Sequence, residues 1–217
     1  MSQSKKSSES REVMPISGLL ETLGFSNPSL RSAARQIIET AGYTNPRKTN
    51  ISVNKAELVQ IYIKTNFRLV CSDGCDAASG KKRMKSSLRV RTDKCEFCSG
   101  SNQNRLVAKM AKNLSDRGLS EILIVGGSIQ SANTLNRLLK SSKINLKIVQ
   151  GTKRINSKMA KLLCRNSDLV VIWGATQLDH TVSKVFNIAA EPGTKVPVAR
   201  PGLKALTEAV NIHLRND

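Results

Sequence analysis

The C-terminal half of the chain alternates between short apolar runs and longer amphipathic stretches. The runs have the length of strands that are buried on both faces, and there are four of them: Glu121–Val125, Leu146–Val149, Leu169–Trp173 and Val196–Ala199. Helical periodicity fills the intervals and closes the chain from Leu203 to Leu214. Short connections between alternating strands and helices predict a parallel sheet. Residues 119–217 are therefore expected to form a small, doubly wound, Rossmann-like α/β domain of about four strands.

The N-terminal part has a different pattern. Residues 1–14 are rich in Ser, Lys and Glu and are expected to be a disordered tail, whereas apolar residues recur at helical spacing over 15–68. The segment Gly24-Phe-Ser-Asn-Pro28 is echoed by Gly42-Tyr-Thr-Asn-Pro46, and in each copy Gly favours a left-handed helix end and Asn-Pro favours the start of a new segment. The expected helical module is compatible with a helix-turn-helix role, with a helical cap and with a dimerisation module.

Four of the five cysteines fall into two close pairs, Cys71/Cys75 and Cys95/Cys98. Two thiolate pairs separated by a hairpin-length interval are the ligand set of a tetrahedral zinc ion. Two disulfides, or four unrelated buried thiols, are the alternatives, but the clustering and the charged interval fit them less well. The sequence thus predicts a four-cysteine zinc ribbon over 69–100, followed by a basic linker helix over 101–118. The fifth cysteine, Cys164, lies in an apolar helical stretch and is expected in the core.

Charge indicates the class of partner. The chain has 35 Lys and Arg against 16 Asp and Glu, which gives a formal charge of +19 and a pI near 10.2. This charge favours polyanions as binding partners. Aromatic residues make up only 3%, which disfavours a base-stacking surface. The leading interpretation is a nucleic-acid-binding protein that contacts phosphates, with DNA favoured over RNA; the alternative is a basic protein kept soluble by charge. The candidate contacts in the basic loop and the helical module are Lys81, Lys82, Arg83, Lys85, Arg89, Arg91, Lys94, Arg31, Arg35, Arg47 and Lys48.

Targeting signals do not change this interpretation. The first residues lack an apolar signal-peptide region, and no segment approaches about 18 consecutive apolar residues. A membrane partner is not expected, because no amphipathic anchor or lipidation signal is found. We expect a cytoplasmic protein, or a nuclear one in a eukaryote, since thiols stay reduced there. A homo-oligomer and a member of a protein–nucleic-acid complex both agree with the sequence.

The α/β part offers a second candidate site. In a doubly wound sheet the crevice lies beyond the carboxyl ends of the strands, where the strand order reverses. Here the loop after the first strand leads into a helix N-terminus that offers N–H groups to an anion, although a Gly-Gly after a strand is also a common tight turn. The candidates for a phosphorylated ligand are Gly126, Gly127, Ser128, Thr176, His180 and Lys184.

These candidates leave two further function classes open. One is a regulator that senses a nucleotide or another phosphorylated ligand. The other is an enzyme acting on nucleic acid or nucleotides, with His180 as the one candidate base. The sequence offers no carboxylate cluster for catalytic Mg²⁺, so no catalytic residue is assigned.

The segment Ile122–Leu206 resembles a known family. It has Val125-Gly-Gly127 after the first strand, Asp168-Leu-Val-Val-Ile172 in the third, His180 followed by Lys184, and a fourth strand that contains proline. In these features it is similar to the Rossmann-like family catalogued as domain of unknown function 2325. The resemblance covers a little over a third of the chain. It implies a small α/β domain in which the Gly-Gly turn and the His-x-x-x-Lys helix start matter, and it implies no settled activity.

Overall fold

The computed structural model describes residues 12–80, 85–174 and 178–216. The chain divides into two compact units, one of Met1–Cys71 with Lys85–Glu96 and the other of Ser72–Met84 with Phe97–Asp217. Of the tail predicted over 1–14, residues 1–11 lie outside the described residues, and Val13 and Met14 belong to a strand. Four candidate site residues also lie outside the described residues, namely Lys81, Lys82, Arg83 and Thr176. Within the described ranges, every helix is too short or too polar to cross a bilayer.

In the part of the first unit that the structure describes, three α-helices and one short 3₁₀ helix, Thr92–Lys94, combine with two small strand pairs. Its elements are β1 (Val13–Pro15), α1 (Ile16–Thr22), α2 (Pro28–Thr40), β2 (Asn50–Ser52), α3 (Val53–Asn66), β3 (Arg68–Val70) and β4 (Ser87–Arg89). Strands β1 and β2 pair antiparallel, whereas β3 and β4 pair in parallel. The core of this unit is formed by buried aliphatic side chains and one phenylalanine from the helices and strands, among them Leu19, Leu20, Phe25, Ile38, Val59 and Ile63.

The repeated Gly-aromatic segment forms two similar helix ends. Gly24 and Gly42 have φ of +101° and +78°, the left-handed conformation that glycine adopts without a Cβ penalty. The N–H of the next residue then donates to a carbonyl five residues back, Phe25 to Leu20 and Tyr43 to Ile38. The two copies differ afterwards, because Asn27 caps α2 through Leu30 N–H whereas the second Asn-Pro leads into β2. The sequence therefore predicted the helix ends, and the structure adds the strand pair that follows.

The second unit contains the α/β sheet and two preceding helices. Its elements are α4 (Asp73–Ser79), α5 (Asn102–Asp116), β5 (Glu121–Gly126), α6 (Ile129–Leu139), β6 (Asn145–Val149), α7 (Ser157–Arg165), β7 (Leu169–Trp173), α8 (His180–Ala189), β8 (Lys195–Val198) and α9 (Leu203–Asn216). The four strands are parallel and lie in the order β6-β5-β7-β8. This confirms the predicted α/β class with a four-stranded parallel sheet. The strand order reverses between β5 and β7, as in doubly wound folds.

Helices cover both faces of this sheet. Leu123 and Val125 of β5 join a core with residues of α7 and α8, including Ala160, Cys164 and Phe186. Helix α5 packs with both α6 and α9, and these three helices form the layer on the opposite face. This arrangement follows from right-handed crossovers, since the chain reverses direction across the sheet after β6. The β5 and β7 residues are buried almost throughout because both faces are covered.

The segment with the cysteine pairs differs from the expected zinc ribbon. Its first half contains a helix, α4, which begins two residues after Cys71 and is capped by Ser72 through Cys75 N–H. Strand β3 ends just before Cys71, β4 lies within the interval between the pairs, and the two strands are parallel. A hairpin joins antiparallel strands, so these two strands are not the arms of one hairpin. The basic linker helix expected over 101–118 corresponds to α5, which begins at Asn102.

Candidate metal centre

Four cysteine sulfurs meet in one place. The Sγ atoms of Cys71, Cys75, Cys95 and Cys98 all lie within 4.8 Å of one another, and no disulfide joins them. Cys75, Cys95 and Cys98 are almost completely buried, with exposures of 0%, 2% and 0%, and Cys71 is half-buried. The two pairs that the spacing singled out therefore form a single cluster.

Backbone hydrogen bonds around β3 position Cys71 and Cys95. Cys71 follows the last residue of β3, and Val70 O accepts from Val90 N–H at 3.0 Å. On the same strand, Leu69 O accepts from Glu96 N–H at 2.8 Å. Two chain segments are thus hydrogen-bonded to consecutive carbonyls of β3. These bonds hold Cys71, directly after the strand, close to Cys95, directly before Glu96.

Close helix packing positions Cys75 and Cys98. Cys75 lies in α4, where a Cβ on the neighbouring Gly74 would come within 3.2 Å of the backbone of Ala108 in α5. Cys98 lies just before α5, and its carbonyl accepts from Ser101 N–H at 2.8 Å. Glycine at position 74 thus allows α4 to approach α5 at backbone contact, which keeps the two cysteines at the same end of this helix pair.

The donor set fits a tetrahedral zinc ion. Zn–S bonds of about 2.3 Å place tetrahedral sulfurs roughly 3.8 Å apart, and the four Sγ atoms are already within 4.8 Å of one another. Four thiolates and Zn²⁺ together carry a formal charge of about −2. Lys94, which directly precedes Cys95, is one of several cations near this charge in the sequence. The arrangement fits a closed structural site, because four protein ligands leave no open position.

The fifth cysteine is separate from this cluster and lies in the core. Cys164 belongs to α7 and packs with Leu123, Val170 and Phe186 beneath the sheet. Burial raises the pKa of its thiol above the ordinary value, because the apolar surroundings disfavour the thiolate. A thiol of this kind behaves as a small apolar side chain, as the sequence predicted.

The structure describes four of the seven candidate cations in the interval before Cys95. Arg91 forms a two-pronged salt bridge with Asp93 at 3.0 Å, which holds the pKa of that carboxyl below its usual range. Lys85 donates to Lys64 O at 3.3 Å, and the Lys94 stem packs on Gly24. Arg89, opposite Val70 in the parallel pair, is half-buried.

The candidate arginines of α2 support the neighbouring loops. Arg31 bridges to Glu21 at 2.7 Å and donates to Ser26 O at 2.9 Å. Arg35 bridges to Glu39 at 2.8 Å and donates to Lys48 O at 2.7 Å, which fixes the turn before β2. Arg47 and Lys48 are exposed on this turn. The structure therefore gives Arg31 and Arg35 intramolecular partners that sequence reasoning did not foresee.

A cavity of about 500 Å³ lies at the carboxyl ends of β5 and β6. One wall is the Gly126-Gly127-Ser128 turn with the start of α6, and the other is the Gln150-Gly151-Thr152 loop, which sequence reasoning missed. The position of that loop directly after β6 was the signal that could have found it, because carboxyl ends of parallel strands meet at one edge. His180 and Lys184 are not among the described residues that line this cavity.

The two glycines of this turn are required by the backbone and by Trp173. Gly126 and Gly127 have φ of +88° and +77°, and Gly127 N–H donates to Trp173 O at 3.1 Å. A Cβ on Gly127 would overlap the Trp173 indole, whose Nε1 donates to Arg200 O at 3.0 Å. The turn therefore has a structural reason for both glycines. Ser128 caps α6 by accepting from Ser131 N–H at 3.2 Å.

His180 and Lys184 lie on the exposed side of α8. Asp179 caps this helix by accepting from Thr181 N–H at 2.9 Å, and the Thr181 hydroxyl donates to the same carboxylate. These two hydrogen bonds lower the pKa of Asp179. Lys184 lines a groove of about 210 Å³ between α7 and α8 together with Lys161. Neither residue lines the Gly126–Ser128 cavity, although the neighbouring Asp179 N–H donates to Gly151 O of its second wall at 2.9 Å.

Fold and site together define the class of this chain: an α/β protein with a four-stranded parallel sheet and a four-cysteine cluster at metal-binding distance. No family model, curated protein or solved structure matches the chain in comparisons with known proteins.

Proposed function

We propose that this chain is a zinc-containing nucleic-acid-binding protein that contacts the phosphate backbone of DNA. The observation that carries the proposal is the four-cysteine cluster, whose two pairs enclose an interval with seven Lys and Arg residues. A metal that holds both ends of this interval reduces the conformational entropy that the cations lose on binding. Each phosphate neutralised by a cation then releases condensed counterions, which supplies most of the affinity.

The intramolecular contacts refine which cations serve this role. Arg31, Arg35 and Arg91 are already paired with carboxylates, so a phosphate would have to replace an existing partner. Arg47, Lys48 and Lys94 are exposed and are the better candidates within the first unit. Lys81, Lys82 and Arg83 remain the densest run of cations between the cysteine pairs.

Salt-titrated binding to duplex DNA tests this function. The variant Lys81→Gln, Lys82→Gln, Arg83→Gln is expected to lower the slope of log K against log salt by about three, roughly one per lost phosphate contact. The control variant Lys195→Gln, Arg200→Gln, Lys204→Gln loses the same charge from the β8–α9 region and is expected to keep the wild-type slope within about one.

Two results would contradict the proposal. Wild-type protein that binds neither DNA nor RNA at low salt would exclude nucleic-acid binding. Zinc-free protein that binds with unchanged affinity would exclude the metal from the binding mechanism, because a clamped interval and an unclamped one differ in ordering entropy.

A second candidate function rests on the 500 Å³ cavity beside Gly126, Gly127 and Ser128. Its volume lies in the range of small-molecule sites, and the α6 N-terminus directs N–H groups and partial positive charge towards it. The candidate is a regulator that binds a nucleotide or another phosphorylated ligand there. We retain the resemblance to the family of unknown function 2325 as part of this proposal, since it rests on the same Gly-Gly turn.

Thermal unfolding in the presence of nucleotides tests this second candidate. A ligand at a hundred times its dissociation constant stabilises the folded chain by about 2.7 kcal/mol. Ile129→Glu places a carboxylate at the cavity mouth and is expected to abolish the shift, whereas Ile188→Glu, at a similarly exposed position outside the cavity, should preserve it. An unchanged unfolding temperature with each phosphorylated ligand would exclude the site.

A further inference from the structure

The middle of the α/β unit is strongly basic in sequence. From Ile122 to Ser167 the sequence has no Asp or Glu, yet it holds nine Lys and Arg residues: Arg137, Lys140, Lys143, Lys147, Lys153, Arg154, Lys158, Lys161 and Arg165. A stretch that alternates buried strands with surface helices must place these charges on its surface. The fold decides how they are distributed between the two helical layers.

One layer gathers six cations, four of them on the outward sides of its two helices. In α7, Lys158, Lys161 and Arg165 are exposed, and their i, i+3, i+7 spacing places them along one stripe on the side away from the buried Ala160. Lys184 of α8 adjoins this stripe, because it lines the same groove as Lys161. We call these four residues the α7–α8 cationic face. Lys153 and Arg154 extend the positive charge at the start of α7.

These four cations have no acidic partner within the described part of the chain. The described ion pairs in this unit include Lys147 with Glu121 and Lys112 with Asp116, whereas none involves the four residues of the α7–α8 cationic face. The carboxylates on this layer are Asp179 and Glu191, at the two ends of α8, and Glu191 lines a pocket with Lys161 and Arg165 without a described ion pair to either. Like charges at helical neighbour positions destabilise a helix slightly, so an external anion would stabilise this arrangement.

The surface chemistry favours a duplex over a single strand. Single-strand binders stack bases on exposed aromatic rings, but Trp173 and Phe186, the aromatic residues of β7 and α8, are buried at 1% and 0% exposure, and the half-buried Phe97 lies between Cys95 and Cys98. Along one strand of a duplex the charges are about 3.4 Å apart on the axis, so the roughly 10 Å of helix from Lys158 to Arg165 spans about three phosphates, one for each of its three cations.

We propose that the α7–α8 cationic face is a second phosphate-backbone contact surface, which binds double-stranded nucleic acid through Lys158, Lys161, Arg165 and Lys184. The inference rests on the proposed nucleic-acid-binding function. It assigns to that function a surface whose residues are distant in sequence from the interval between the two cysteine pairs. Contact is made to backbone phosphates, so this surface supplies affinity without base readout. Exposed Leu162 and Ile188 lie among these cations and give the face an apolar component.

The test compares two variants of equal charge by fluorescence anisotropy with a DNA duplex of about 25 base pairs over a series of salt concentrations. The face variant is Lys158→Gln, Lys161→Gln, Arg165→Gln, Lys184→Gln. The control variant is Lys109→Gln, Arg137→Gln, Lys140→Gln, Lys143→Gln, which removes the same charge from α5 and the α6–β6 segment on the other layer. Thermal unfolding verifies that both variants fold.

The face variant is expected to lose on the order of a hundredfold in affinity at about 0.1 M salt and to lower the salt slope by about three to four. The control variant should lose less than about tenfold, since only long-range attraction is weakened. A charge-retaining variant, with arginine at the three lysine positions and Arg165→Lys, should bind like wild type. It also keeps the test valid if the glutamine variant does not fold.

The outcomes separate this inference from the proposed function. If wild type binds duplex and the face variant matches the control variant, the inference is wrong and the proposed function stands. If wild type binds no nucleic acid, the proposed function fails and this surface fails with it. Tighter binding of wild type to a single strand than to the duplex would overturn the assignment to duplexes. Unchanged duplex binding with lost retention on anionic lipid vesicles would identify the face as a membrane contact instead.

Discussion

Replacement of Cys98 by serine tests whether the cysteine cluster binds zinc. Cys98 is completely buried and lies within 4.8 Å of the other three sulfurs, so its loss removes one of four ligands from a closed site. Zinc at a hundred times its dissociation constant stabilises the wild-type fold by about 2.7 kcal/mol. For a chain of 150–250 residues this corresponds to a rise of roughly 5–11 °C in unfolding temperature. We expect Cys98→Ser to lose most of this rise.

Cys164→Ser is the matched control for this experiment. Cys164 is also buried, at 8% exposure, and it packs in the core of the α/β sheet rather than in the cluster. Both variants place a hydroxyl where a thiol was buried, so both lower stability by a comparable amount, about 1–3 kcal/mol. The difference in free energy of unfolding between the two variants therefore gives the contribution of metal binding. The zinc-dependent rise in unfolding temperature should survive in Cys164→Ser.

The assay measures zinc content of reduced, freshly purified protein and unfolding temperature with zinc and with a strong chelator. One equivalent of zinc is expected for wild type and for Cys164→Ser, and chelation should lower the unfolding temperature of both. Stoichiometric zinc in Cys98→Ser with unchanged affinity would refute the four-thiolate site. Wild-type protein that contains no metal and is indifferent to chelation would refute metal binding altogether.

Two further predictions follow from individual contacts. Gly127→Ala should lower the free energy of unfolding by about 3 kcal/mol or more, because φ is +77° and the new Cβ overlaps Trp173. The control Gly118→Ala, with φ of +72° and nothing within 4 Å, should cost only the backbone strain of about 1–2 kcal/mol. Equal losses of the two variants in chemical denaturation would disprove the steric contribution. Burial raises the pKa of the Cys164 thiol in the folded chain. The protonated thiol therefore contributes to the free energy of unfolding below the ordinary thiol pKa of about 8.5, and this contribution is lost as pH rises through the folded-state pKa. Denaturation from pH 7 to 10 should therefore show a steeper alkaline loss of stability in wild type than in Cys164→Ala, and parallel curves would contradict this.

The α/β sheet was predictable because its signals are local. Apolar runs with helical intervals identify strands that are buried on both faces, and β5 and β7 begin and end within a residue of the predicted bounds. The order β6-β5-β7-β8 has the reversal between the first and third strands that a doubly wound fold predicts. The cysteine cluster was predictable for a related reason, since close pairs within a short interval have few alternatives to a shared ligand.

Other features depend on partners that are distant in sequence. The parallel pairing of β3 with β4 joins Arg68 to Ser87 across an interval that contains a helix, and no local pattern specifies it. Arg31 and Arg35 were predicted as phosphate contacts from charge alone, whereas their acidic and carbonyl partners became visible only in the folded unit. The second wall of the cavity depends likewise on the position of β6 beside β5.

The sequence by itself determined the class of the α/β unit, the two glycine helix ends and the identity of the four clustered cysteines. These depend on hydrophobic periodicity, backbone sterics and spacing, which act over a few residues. Only the tertiary structure decided which cations have intramolecular partners and which share an exposed face. Lys161 and Lys184 line one groove because α7 and α8 pack on the same side of the sheet, and such neighbourhoods arise from the packing of whole elements.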